Sequence, residues 1–287
     1  MNKKIVLISL FLFPLTGIMA QNEAYKIFTK EGKEISFETM AVNASQVEAI
    51  FFGELHNNSI AHWLQLRLLK SLQQSNNKVV LAGEFFERDD QLNIDEWFSG
   101  RITDKNFESE AKLWNNYSTD YKPLMIFAKE HQIPFVASNI PRKYASLVSR
   151  EGMNGLESLS SEAKKYIAPL PVEVDKTLPG YKGMTEMMHG ANMNIDFMIE
   201  AQAIKDATMA YSLFNYFQKG NLILHINGSY HSNNFEGIVW YVKKDFPQLK
   251  IMTINTVEQK EILTLEDKHL YTADFIIVTP QDGPKSY

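Results

Sequence analysis

Residues 47–72, VEAIFFGELHNNSIAHWLQLRLLKSL, constrain this chain more than any other stretch. The apolar run 47–52 is long enough for a buried strand and too short for a helix. The chain then turns through Gly53-Glu54-Leu55-His56 and passes Asn57, Asn58 and Ser59, which are good helix N-cap residues. Ile60, Trp63, Leu64, Leu68 and Leu72 follow at helical spacing. Strand, glycine turn and helix together put Glu54 and His56 at the carboxyl end of a sheet strand, where open α/β sheets bind ligands. A carboxylate and an imidazole two residues apart suit metal ligation or acid–base work there. The plainer alternative makes Glu54 a helix cap and His56 a loop histidine.

The same grammar repeats downstream. Residues 78–86, KVVLAGEFF, read as a second buried strand carrying Glu84 to its carboxyl end. Burying a carboxylate is costly unless it is paired or ligated, so two glutamates at two strand ends point to a shared site. Capping of the next helix is the alternative for Glu84. Residues 133–138 form a third strand with Asn139 after it, and 221–227 a fourth, ending at Gly228-Ser229-Tyr230-His231. Residues 249–255 and 272–279 supply the last strands, and 25–29 with 35–38 an N-terminal hairpin. Short apolar strands alternating with helical segments predict an α/β fold: a mostly parallel central sheet flanked by helices. The weakly apolar, proline- and glycine-interrupted region at about 141–219 reads as an inserted helical lobe. Within it Met184, Met187, Met188, Met193, Met198 and Met209 offer either a soft surface for a large flat apolar ligand or an ordinary core face.

Residues 1–20, MNKKIVLISLFLFPLTGIMA, read as a secretory signal peptide cleaved after Ala20, leaving 21–287 as a single domain. The expected location is periplasmic or extracellular. The chain has no cysteine, which excludes disulfides, thiolate metal sites and a lipid-modified N-terminal cysteine anchor. Its formal net charge is −5 with no basic cluster, a poor match for nucleic acid.

Two GxxH turns, at 53–56 and 228–231, thus share a sheet edge with Glu84. His56, Glu84 and His231 would satisfy a divalent metal such as zinc or manganese with a position left for water, and Glu54 stands beside them. A bound metal would generate hydroxide for hydrolysis. Without a metal, Glu54, His56, Glu84 and His231 form a general acid–base set. Gln202 and Asp206, one helical turn apart, either line this site or make a helix–helix contact. His62 and His225 read as structural histidines.

The chain resembles the ChaN-like haem-binding family, part of a superfamily with the Tiki/TraB proteins and the erythromycin esterases. The resemblance rests on GELHNNSIAHWLQLRLL at 53–69, GEFFERDDQ at 83–91 and SNIPRKY at 138–144. It continues in MMHG at 187–190, AQAIKDATMA at 201–210 and NGSYH at 227–231. It implies an exported α/β protein of haem or iron uptake, with haem held at a dimer interface by tyrosine ligation with histidine support. It implies a homodimer on haem binding and the outer-membrane haem-uptake machinery as a further partner. Tyr181 and His189, flanking the start of the methionine-rich segment, are the candidate haem ligands, with Tyr230 a rival. Arg142 is the candidate partner for a propionate, since guanidinium pairs with carboxylate in a bidentate fork. The Tiki and esterase branches imply the alternative, a metal-dependent esterase or peptidase using His56, Glu84 and His231.

Overall fold

The computed structural model describes residues 23–75, 78–187, 194–217 and 219–287. The signal-peptide stretch 1–20 and the candidate ligand His189 lie outside the described residues, as do Met188 and Met193.

Eight strands form one sheet: β1 (Lys26–Thr29), β2 (Glu34–Ile35), β3 (Ala49–Glu54), β4 (Val79–Glu87), β5 (Phe135–Asn139), β6 (Leu222–Gly228), β7 (Ile251–Gln259) and β8 (Phe275–Pro280). Their order is β2-β1-β8-β7-β3-β6-β4-β5. The six strands from β8 to β5 run parallel, and the β1–β2 hairpin adds antiparallel to β8. This is the mostly parallel α/β sheet the alternation of segments predicts. The chain passes from β3 to β4 and β5, then returns to insert β6 between β3 and β4. That insertion brings the carboxyl ends of β3, β6 and β4 side by side.

Burial explains why 47–52 is apolar throughout. Ile50 and Phe52 enter a core under α1 (Phe37–Ala44), α2 (Ser59–Gln74), α3 (Gln91–Phe98), α4 (Asp104–Glu110) and α5 (Lys122–Glu130). Ala49 and Phe51 enter the opposite core, under α6 (Arg142–Glu151), α9 (Ile195–Phe217) and α10 (Ile238–Asp245). Ile50, Phe51 and Phe52 each contribute roughly 1.5–3 kcal/mol by leaving water. The short α7 (Ser161–Lys164) and α8 (Pro179–Met187) lie between α6 and α9. The 141–219 region is therefore the crossover from β5 to β6. Its long helix α9 covers the sheet, and Met209 is fully buried there as a core residue. Among the described residues no helix is long and apolar enough to cross a membrane.

Three strand ends differ from expectation. The second hairpin strand stops at Ile35, because Ser36 caps α1 by accepting the Thr39 N–H at 3.1 Å and Phe37 and Glu38 are already helical. Glu84 sits inside β4 rather than at its end, because buried Phe85 and Phe86 carry the strand on to Glu87. The register against β5 shifts between Gly83 and Glu87, and pairing to β6 ends at Gly83. β7 runs on to Gln259 because β8 pairs with it from Ile254 to Gln259.

Candidate functional site

Asn58 caps α2 by accepting the Ala61 N–H at 3.0 Å, which fixes the turn carrying Glu54 and His56. Glu54, the last residue of β3, is buried, and its oxygens are fully engaged. Oε1 meets His56 Nδ1 at 3.0 Å and accepts the Tyr121 hydroxyl; Oε2 accepts the Gln65 amide at 2.5 Å. The His62 ring stands 3.4 Å from the same carboxylate, and its Nε2–H donates to the His56 carbonyl at 3.0 Å. His62 is thus the structural histidine its sequence context suggests. His225 is another, bonded to Ser138 at 2.8 Å and Asn227 at 3.0 Å, with burial lowering its pKa to about 4.

The second cluster surrounds His231. Its Nε2 lies 3.2 Å from Glu84 Oε1, and its Nδ1 lies 2.5 Å from Asp206 Oδ1. The Gln202 amide rests 3.0 Å from the same ring nitrogen. Both Gln202 and Asp206 therefore line this site. Glu84 Oε2 accepts the Gly228 N–H at 2.7 Å. A Cβ on Gly228 would stand 2.8 Å from His56 Cε1, 2.9 Å from its Nε2 and 3.5 Å from Glu84 Oε2. Glycine at 228 is what lets the two clusters approach.

Charge follows from these contacts. Burial opposes the His231 charge, but Glu84 and Asp206 outweigh it and raise the pKa to about 10. Burial works to raise the Glu84 pKa; the His231 charge and hydrogen bond, the His56 charge and the Gly228 N–H overcome it and hold the group ionised. Burial pushes the Asp206 pKa up, against the pull of His231 and Tyr181. His56, with 40% of its side chain exposed, is also raised: burial opposes its charge, and the Glu54 hydrogen bond and the Glu84 charge prevail. The protons belong to this coupled set more than to single residues.

The metal expectation meets a different geometry. Both nitrogens of His231 are occupied by carboxylates, so neither offers a lone pair to a metal. Among the described residues no group of three or more His, Cys, Asp or Glu side chains is arranged to hold a metal ion.

Tyr181 also differs from its expected role. It is 3% exposed, and its hydroxyl donates to Asp206 Oδ2 at 3.2 Å. Burial and the Asp206 charge raise its pKa, so the phenolate needed for iron ligation is disfavoured. Tyr230 is 46% exposed but donates to the Gly180 carbonyl at 2.6 Å, and burial with Asp206 raises its pKa to about 12. Arg142 opens α6, after the carboxyl end of β5, with its side chain exposed.

A cleft of about 520 Å³ opens over both clusters, lined among others by Leu55, His56, Gln202, Tyr230, His231 and Tyr287. Tyr287 reaches it because the tail folds back on the 57–59 turn, where the Ser286 N–H donates to the Asn57 carbonyl at 3.0 Å. The sequence reading missed Tyr121, Gln65 and Tyr287. Gln65 had a signal, a polar residue one turn from His62 on the apolar face of α2. The tyrosines had none, since their positions depend on chain segments distant in sequence.

Among solved structures, that of ChaN of Campylobacter jejuni, described as binding haem cofacially, is similar over 90% of this chain and 98% of its own, at 21% identity and a TM-score of 0.68. A succinoglycan biosynthesis protein is similar over 87% and 91%, at 11% identity and a TM-score of 0.54. A Bacillus cereus protein is similar over 88% and 93%, at 10% identity and a TM-score of 0.53. These likenesses establish the fold. No curated protein matches the chain. The model of the family described as haem-binding uptake, Tiki superfamily, ChaN matches residues 40–242, and the chain belongs to that family.

Proposed function

We propose that this protein binds haem in the cleft over His56 and serves haem or iron uptake. One observation carries the reading: the accessible donors in the cleft are an imidazole held by a carboxylate and two exposed tyrosines. Haem, when bound, would supply an iron that takes phenolate oxygen or imidazole nitrogen as ligand. Tyr287, 70% exposed at the cleft, is the phenol best placed to reach it. His56 keeps Nδ1 on Glu54, which fixes the ring and leaves Nε2 to support a ligand. Arg142, beyond the same sheet edge, is the propionate partner in this reading.

The cleft is open on one side, so a flat ligand would keep an uncovered face. We infer that a second copy covers it and that haem binding produces a dimer, as the cofacial binding described for the Campylobacter protein suggests. Export rests on the signal-like sequence at 1–20, and delivery to outer-membrane uptake machinery would follow from it.

The test is a haem titration followed by absorbance and size-exclusion chromatography, with His56→Ala, Tyr287→Phe, Tyr230→Phe and His189→Ala beside the wild type. A saturable Soret shift, a move to dimer and loss of the iron–phenolate band in Tyr287→Phe are expected. A Soret band that stays at the position of unbound haem at saturation would sink the reading.

A second reading, a hydrolase, draws on one feature. Each of two histidines carries a carboxylate at Nδ1, Glu54 on His56 and Asp206 on His231, an arrangement that orients imidazole for proton transfer. Of the two, His56 is the accessible one and would be the general base. Ester or peptide turnover abolished by His56→Ala would favour it; no turnover by the wild type would remove it.

A further inference from the structure

A second cavity, of about 290 Å³, opens beside the edge strand β5 and shares no lining residue with the haem cleft. Arg88, Gln91, Lys165, Ser212, Asn215 and Tyr216 are among its walls. Among the described residues, Arg88 is its one guanidinium. One terminal nitrogen donates to Ser212 Oγ at 2.5 Å and the other to the Lys165 carbonyl at 3.1 Å. The Nε–H is buried and has no partner, and among the described residues no carboxylate forms an ion pair with this guanidinium. Burial lowers its pKa, and only the Tyr211 side chain opposes that.

The acids nearby are otherwise engaged. Asp95 accepts from the Gln91 amide at 2.9 Å. Gln91 in turn accepts the Ala137 N–H at 2.7 Å and donates to the Phe135 carbonyl at 3.0 Å, which closes the open edge of β5 as a further strand would. Glu162 pairs with Lys165 at the surface, where both side chains are 68% exposed. Such a pair is weak and leaves Lys165 able to swing toward the cavity. This half-buried cation has spare donors and no carboxylate partner, only the Tyr211 ring 5.7 Å away, so it can take a further acceptor. Arg presents five N–H donors in a planar fork that matches oxyanions.

We propose that this cavity binds a small oxyanion, a carboxylate or a phosphate. The free N–H groups on the two terminal Arg88 nitrogens hold it, the exposed Asn215 amide lies at the mouth, and the Lys165 ammonium swings in from its surface pair with Glu162. The proposal goes beyond haem binding and does not depend on it.

The experiment is isothermal titration of inorganic phosphate and, separately, of citrate into haem-free protein. Saturable one-site binding of at least one probe is expected, with phosphate alone assigning a phosphoryl ligand and citrate alone a carboxylate. Arg88→Gln should weaken it about ten-fold or more, the loss of a charge-assisted hydrogen bond. Asn215→Glu, which puts a carboxylate at the exposed mouth without removing a bond of the fold, should do the same and carries the test should Arg88→Gln not fold. No saturable binding of either probe, or unchanged affinity in Asn215→Glu, overturns the proposal.

Discussion

His231 Nδ1 and Asp206 Oδ1 lie 2.5 Å apart, joining the turn after β6 to the middle of α9. With Glu84 on the other ring nitrogen, the imidazole is held between two carboxylates and kept charged. This buried triad fixes the floor of the cleft and leaves the half-exposed His56 as the histidine that meets a ligand.

The His231 charge can be read directly. Its ring protons in an NMR titration should show no inflection in the neutral range and one near pH 10, against an ordinary value of 6.5. Asp206→Asn removes one of the two carboxylates and should move the inflection down. A wild-type inflection near the ordinary value would contradict the clamp.

Stability should fall at both ends of the pH scale. Glu84 is depressed below its ordinary value of 4.5, so its contribution is present above that pH and is lost as pH falls through the folded value. His231 is raised, so its contribution is full below 6.5 and is lost as pH rises through about 10. Urea midpoints across pH should therefore peak between these limits. Glu84→Gln should lower the peak by about 3–5 kcal/mol, the cost of breaking a buried pair, and flatten the acid limb. An acid limb as steep as that of the wild type would remove Glu84 as its cause.

Gly228→Ala should cost about 1–3 kcal/mol, because the new methyl must displace the His56 ring, which Glu54 holds. Urea unfolding measures it. A neutral substitution would mean that the two clusters are less tightly apposed than their contacts imply.

Tyr181→Phe should cost about 1 kcal/mol through its lost bond to Asp206 and leave the haem spectrum unchanged. Loss of the iron–phenolate band in this variant would restore Tyr181 as the ligand.

The sequence by itself determined the strands, their glycine turns and the edge at which Glu54, His56 and His231 gather, because hydrophobic period and turn chemistry are local properties. It also marked Gln202 and Asp206, which share a face by helical spacing alone. Only the tertiary structure decided that β6 inserts between β3 and β4, which sets Gly228 against His56 and Glu84. The folded chain alone turned Tyr181 inward onto Asp206, filled both nitrogens of His231 and brought Tyr121 and Tyr287 to the site from distant segments. The physical reason is common to all of these. The partner of a buried polar group is chosen by whichever chain segment packs against it, and that choice is made across the sheet rather than along the sequence.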